Sequence, residues 1–220
     1  MNIALIPARE GSKRIPLKNI KDFCERPLLY WVCRAVQNSK LIDKGYVSTE
    51  SKIFRKIIES FNFNKIEVID RDLATCTDDA SSQSVIEDFI KRINYNFNIL
   101  CLLQAPCPFF QDIDNALNNF ILSKKDSQLS VIRLKRFFWY DYGYPKNYKI
   151  YERPRTQELE GELIEIGNCY ITTKKNLIKN KNFLGGNIGL YELPEYHFFE
   201  LDTELDWTIM ESINERLNLL

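Results

Sequence analysis

Apolar residues fall along the chain in short solid runs that alternate with stretches spaced for a helix. Ile3-Ala4-Leu5-Ile6 inside Asn2–Pro7 reads as a short buried strand. Pro27 precedes Leu28, Val32, Ala35 and Val36 at helical spacing, with Trp31 alongside, and proline suits a first helical turn, so a helix is predicted over 28–38. Residues 45–49 read as a second strand, Ile53, Ile57, Ile58 and Phe61 as a helix face, and 65–69 as a third strand. Val85, Ile86, Phe89, Ile90 and Ile93 mark the next helix. Residues 99–104 are almost wholly apolar and predict a central strand buried on both faces. A helix over 112–123 follows, with Ile113, Leu117, Phe120 and Ile121 on one side.

This alternation on a short period predicts an α/β fold: a mostly parallel sheet with helices on both faces and right-handed crossovers. After a strand at 129–134 the period breaks. Phe137-Phe138-Trp139-Tyr140-Asp141-Tyr142-Gly143-Tyr144 is either a loop covering the core or a subunit contact, since aromatics are enriched at interface centres. A strand at 163–172, a turn at Gly185-Gly186 and paired short strands at 188–193 and 196–201 come next. A last helix starts near Thr203, capped by that residue with Asp206 three positions on, and Leu205, Ile209 and Ile213 are expected to face inward.

The length, 220 residues, suits one domain. The 30 basic and 30 acidic residues cancel, which argues against nucleic-acid binding and confines any polyanion site to a local cluster. No run is apolar enough for a membrane span, and the start carries no charged n-region with an apolar core, so neither membrane nor leader is expected. Six scattered cysteines without Cys-x-x-Cys fit buried free thiols in a cytoplasmic protein. His197 is the sole histidine, which leaves no zinc-ligand spacing and no hydrolase triad.

The cluster that stands out is the stretch after the first strand, residues 7–19, with Arg9, Lys13, Arg14 and Lys18 around Gly11 and Ser12. A strand ending in a basic, glycine-containing loop offers phosphate both backbone N–H groups and cations, at the sheet edge where α/β proteins bind ligands. Glu200-Leu201-Asp202 ends a predicted strand, where period-two alternation puts both carboxylates on one side, as Mg²⁺ at a phosphate site requires; a helix-cap role for Asp202 is the plain alternative. Gln104 ends the central strand. Arg153 and Arg155 flank a stiffening proline and suit a carboxylate, or solvent. Capping is the default role for Ser81 and Ser82. Neither a Walker loop nor Gly-x-Gly-x-x-Gly is present.

Together these segments resemble the acylneuraminate cytidylyltransferases, the CMP-sialic acid synthetases. The matching runs are Ile6-Pro7-Ala8-Arg9-x-Gly11-Ser12-Lys13-Arg14-Ile15-Pro16-Leu17-Lys18-Asn19, Val47-Ser48-Thr49, Asp79-Ala80-Ser81-Ser82 and Leu103-Gln104-Ala105-x-x-Pro108. Arg153-Pro154-Arg155-x-Gln157, Gly161-Glu162-Leu163-x-Glu165-x-Gly167 and Glu200 to Trp207 complete the set, which covers nearly the whole chain in order and looks most like the animal-type catalytic domain. The resemblance implies a three-layer α/β/α nucleotide-diphospho-sugar-transferase-like fold with a dimerisation segment at about 135–165, and a homodimer. It implies transfer of CMP from CTP to the anomeric hydroxyl of a nine-carbon 2-keto sugar acid, N-acetylneuraminate first, with Mg²⁺ as cofactor and release of pyrophosphate. Legionaminate, pseudaminate and deaminated acids are alternatives, as are an eight-carbon acid and an inactive nucleotide-binding subunit.

Carried over by position, Ala8, Arg9, Gly11, Ser12, Lys18, Asn19, Arg71, Ala80, Ser81 and Ser82 bind nucleotide. Gln104, Arg153, Arg155 and Gln157 meet the sugar acid, Glu200 and Asp202 hold the metal, and Arg9, Lys18 and Asp202 carry catalysis. Lys13 and Arg14 are explained as well by solvation as by substrate. The chain departs from the family at Pro106-Cys107, Phe110 and Ile166, and Glu200 varies there; these fall on the sugar side, so the identity of the acid stays open.

Overall fold

A computed structural model describes residues 1–93, 96–105 and 113–220. Pro106, Cys107, Pro108, Phe110 and the expected helix start at Asp112 lie outside the described residues. The elements, in order, are β1 (Asn2–Pro7), β2 (Asp22–Phe23), β3 (Arg26–Pro27), α1 (Leu28–Asn38), β4 (Lys44–Thr49), α2 (Lys52–Glu59), β5 (Ile66–Asp70) and α3 (Ser82–Arg92). After them come β6 (Ile99–Leu103), α4 (Ile113–Ser123), β7 (Ser127–Leu134), β8 (Glu162–Thr173), α5 (Lys174–Asn180), β9 (Ile188–Leu193) and α6 (Glu204–Leu217).

Seven strands form one sheet in the order β5-β4-β1-β6-β8-β7-β9. All pairings are parallel except those of β8, which runs antiparallel to both β6 and β7. The chain lays β4 and β5 on one side of β1, then returns to place β6 on the other. The carboxyl ends of β1 and β6 therefore flank a topological switch point, where open α/β sheets form their ligand crevice.

Period-two alternation sorts β1 between two cores. Ala4 and Ile6 pack with Leu29, Val32, Phe54, Leu117 and Phe120 from α1, α2 and α4. Ile3 and Leu5 pack on the opposite face with Val85, Ile86, Phe89 and Leu177 from α3 and α5. These are the three layers expected. Each such fully buried aliphatic or aromatic side chain contributes roughly 1.5–3 kcal/mol. A third cluster joins Ile15 of the basic loop to Phe23, Leu28, Leu201, Trp207 and Met210. It fastens that loop to the segment carrying Asp202.

The structure differs from the pattern in several places, the short β2–β3 pair among them. Residues 196–201 are no strand: Pro194 starts a 3-10 turn over Glu195–Phe198, and β9 pairs with β7 instead of a successor. α5 went unpredicted because only Asn176 and Leu177 are buried in it; its start is fixed by Thr173, whose hydroxyl accepts from Asn176 N. In α6 the Thr203–Asp206 capping box forms as expected, yet Leu205 is exposed and Trp207 and Met210 face the core. Between β7 and β8, residues 135–161 form an extension with one bridge, Trp139 to Pro145, and two 3-10 turns. Its aromatics contact one another, Phe137 with Tyr148 at 4.8 Å and Tyr140 stacked on Tyr142 at 5.0 Å, while Tyr151 is 99% exposed.

Candidate active site

At the carboxyl ends of β1 and β6 lies a cleft of about 410 Å³. Five cations line it: Arg9, Lys13, Arg14, Lys18 and Arg71. Ser12, Asn19, Asp78, Ser82 and Gln104 complete its polar wall, and Ala80 lines it as well. The predicted nucleotide residues thus converge, apart from three. Ala8 is buried with its N–H donated to Ser48 O at 2.9 Å, and Ser81 caps α3 by accepting from Ser84 N at 3.1 Å. Gly11 is off the wall, and a Cβ added there would meet nothing, so no packing within the chain requires glycine.

Local bonds explain the shape of the basic loop. Glu10 N–H donates to Glu50 Oε1 at 2.8 Å, and Asn19 Nδ2 donates to the Arg9 carbonyl at 3.0 Å. Arg9 Nη1 donates to Cys76 O at 3.1 Å. Leu17 adopts a left-handed conformation, φ 52°, which turns the chain into the short helix holding Lys18 and Asn19. Opposite stands the N-terminus of α3, whose unpaired N–H groups and dipole favour anions. Arg71 is buried, with Nε donating to Thr75 Oγ1 at 3.1 Å and Nη2 to Thr75 O; burial lowers its pKa. The same burial pushes the neighbouring Cys76 thiol up to about 11, so it is no nucleophile at neutral pH.

Two carboxylates share the loop's four cations. Asp202 pairs through Oδ1 with Lys18 Nζ at 3.1 Å and through Oδ2 with Arg14 Nη2 at 2.9 Å. Asp78 pairs through Oδ1 with Arg9 at 2.8 Å and through Oδ2 with Lys13 at 2.6 Å. Lys13 and then Arg9 hold the Asp78 carboxyl below its usual pKa. Lys13 and Arg14 thus line the cleft while their side chains stay 74% and 67% exposed. Asp78 was not picked out from the sequence, where it reads as one more polar residue before a helix.

Asp202 reaches the cleft's edge through its pairs with Arg14 and Lys18, and a turn instead of strand alternation links it to Glu200. Asp202 N–H donates to Glu200 O at 2.9 Å, and Leu201 between them is fully buried. Glu200 Oε1 accepts from Gly167 N at 2.9 Å, and a Cβ on Gly167 would lie 3.0 Å from that oxygen. This amide is available because β8 bulges opposite Ser130, whose hydroxyl bonds Cys169 N and Ile166 O at 3.1 Å. The bulge also offers Asn168 O to Gln104 N at 3.2 Å, and Asn168 Nδ2 meets His197 Nδ1 at 2.9 Å. His197 is thus a buried structural residue. Among the described residues no group of three or more His, Cys, Asp or Glu side chains could hold a metal alone.

The residues expected on the sugar side do not gather in the cleft. Gln104 lines the cleft, but Arg153, Arg155 and Gln157 sit on the extension. Arg153 lies over Phe137 at 4.4 Å, Arg155 pairs with Glu158 at 2.7 Å, and Gln157 lines a separate hollow with Arg133 and Arg136.

The cytidylyltransferase family model matches residues 3–137, which hold the basic loop, Arg71, Asp78 and Gln104. The chain belongs to the cytidylyltransferase family. It is 35% identical over 218 residues to N-acylneuraminate cytidylyltransferase of Oncorhynchus mykiss, covering 94% of this chain and 49% of that protein. N-acylneuraminate cytidylyltransferase B of Danio rerio is 34% identical over 217 residues, covering 94% and 50%. The chain spans about half the length of these curated relatives. Its fold is shared with a solved CMP:2-keto-3-deoxy-manno-octonic acid synthetase complexed with CTP, at TM-score 0.71 and 15% identity over 98% of this chain and 99% of that one. The chain therefore has an α/β fold shared with that structure, with its basic cleft at the switch point. No helix among the described residues is long and apolar enough to cross a membrane.

Proposed function

We propose that this cytidylyltransferase is a CMP-nonulosonate synthetase, transferring CMP from CTP to the anomeric hydroxyl of a nine-carbon 2-keto sugar acid and releasing pyrophosphate. N-acetylneuraminate is the first choice of acid. The observation that carries the reading is the convergence of Arg9, Lys13, Arg14, Lys18 and Arg71 on one cleft, in a chain so similar to N-acylneuraminate cytidylyltransferases.

In-line attack on the α-phosphorus spreads negative charge over the α-phosphate and the leaving pyrophosphate. Arg9, Lys13 and Lys18 neutralise it from the loop, preorganised by the bonds to Glu50, Asn19 and Cys76. The N-terminus of α3 orients the nucleotide from the other wall, and Gln104 faces the sugar acid.

Asp202 fits a magnesium ion that arrives with the nucleotide: it is a hard oxygen donor beside the phosphate-binding cations, and Mg²⁺ needs only one or two carboxylates plus phosphate oxygens. Glu200 is the second donor; Oε1 is committed to Gly167, and Oε2 has no hydrogen bond among the described residues. When bound, the ion adds positive charge on the phosphate oxygens.

Arg153, Arg155 and Gln157 project on an extension rich in exposed aromatics, which fits a homodimer in which this segment reaches the partner's cleft. Arg155 then serves the acid's carboxylate in trans. Buried free Cys33, Cys101 and Cys169 fit a reducing cytoplasm.

The test is pyrophosphate release with CTP, Mg²⁺ and a panel of eight- and nine-carbon 2-keto acids. Release with a nine-carbon acid supports the reading. Release confined to an eight-carbon acid reassigns the substrate, and CTP binding without turnover on any acid points to an inactive subunit.

A further inference from the structure

Asp78 sits in the wall of the cleft with a negative charge, where a triphosphate has to bind. Its two oxygens are spent on two different cations, Arg9 at 2.8 Å and Lys13 at 2.6 Å. Asp202 has the same two-cation geometry on the other side, but Asp202 can exchange its cations for a metal. Asp78 cannot do so without facing phosphate oxygens of its own sign.

The anchoring of the loop decides what Asp78 is for. The backbone at Arg9 and Glu10 is held by Asn19 and Glu50, and the Arg9 guanidinium keeps its bond to Cys76 O without any help from Asp78. Removing Asp78 therefore leaves Arg9 in place. Lys13 is different: its side chain is 74% exposed and Asp78 is its ion-pair partner. The net effect of Asp78 on an incoming polyphosphate is competition for Arg9 and Lys13, not support of the loop.

We propose that Asp78 is an exchange partner for the phosphate chain: nucleotide displaces it from Arg9 and Lys13, and after transfer it takes these cations back and helps expel pyrophosphate. It acts through the two cations and is a positioning residue. The inference rests on the nucleotide reading of the cleft. It implies that Asp78 weakens ground-state binding of polyphosphate and speeds product release.

The test compares wild type with Asp78→Asn, and with Asp79→Asn as a control that removes the same charge one residue away. Calorimetry with CTP, with inorganic pyrophosphate and with CMP reads the affinity, and steady-state kinetics reads kcat and product inhibition. Asp78→Asn is expected to bind CTP and pyrophosphate about three- to tenfold tighter at low salt, with the gain shrinking toward 1 M salt. Its KM for CTP falls together with kcat, and pyrophosphate inhibits it more strongly. CMP, which lacks the outer phosphates, changes little. Unchanged or weaker pyrophosphate binding overturns the proposal, as does an equal gain in Asp79→Asn or an equal gain for CMP. If wild type itself fails to bind CTP, the nucleotide reading falls first and the inference with it.

Discussion

Lys18 Nζ lies 3.1 Å from Asp202 Oδ1, across 184 residues of sequence. The contact joins the loop after the first strand to the turn before the last helix. It exists because Ile15, on the loop, and Leu201, beside Asp202, are buried in the same cluster with Trp207. Packing at the back of the site thus places the charges at its front.

Removing either charge is expected to be costly to turnover and nearly neutral to stability. Asp202→Asn and Lys18→Ala should each lower kcat/KM by at least about a hundredfold, the scale for losing a group aimed at developing charge. Both pairs of Asp202 are partly solvated, so chemical denaturation should move by no more than about 1 kcal/mol. Near-normal turnover in Asp202→Asn would remove it from the metal and catalytic roles.

Ile15→Ala separates packing from chemistry. The side chain is fully buried and its loss leaves a cavity between the loop and α6. A loss of about 2–5 kcal/mol in urea unfolding is expected. Calorimetry should also show weaker CTP binding, because the loop loses its anchor. CTP affinity equal to wild type would mean that the loop is positioned by its hydrogen bonds alone.

Gly167→Ala tests the link from β8 to the acidic turn. The new Cβ would lie 3.0 Å from Glu200 Oε1, tight enough to push the carboxylate off the Gly167 N–H. A rise in the Mg²⁺ concentration needed for half-maximal turnover, with the melting temperature little changed, is the expected result. An unaltered Mg²⁺ dependence would detach Glu200 from the metal.

The proposed exchange of the extension between two copies can be tested by mixing two inactive variants. Arg9→Ala damages the nucleotide cleft and Arg155→Ala damages the extension. If the extension serves the partner's cleft, a heterodimer holds one intact site, and equal mixing restores up to about a quarter of wild-type activity by random pairing in a two-fold dimer. No recovery after confirmed subunit exchange would put Arg155 in its own chain's site.

Much of this was legible in the sequence, for local reasons. The first helix was legible because Pro27 and a clean period bound it, and β1 because four apolar residues end at a proline. The wall of the basic cleft was legible because its residues lie in contiguous motifs. What was not legible depends on distance. Asp78 could not be tied to Lys13 from spacing alone, since 65 residues of βαβ separate them. The turn at Glu200 and Asp202 was misread as a strand because its order comes from Gly167 and Asp206 rather than from a ladder. Arg153, Arg155 and Gln157, expected from the resemblance to meet the sugar acid, lie on the extension and away from the cleft, a separation in space that contiguous motifs do not encode.

The proposed reaction is attack at the α-phosphorus of CTP by the anomeric hydroxyl of a sugar acid. The direct measurement follows CTP labelled at either the α- or the γ-phosphate, incubated with the protein, Mg²⁺ and N-acetylneuraminate. α-Label is expected in a CMP–acid conjugate and γ-label in pyrophosphate, both dependent on the acid. Label released as orthophosphate, or no transfer to any nine-carbon acid, would contradict it.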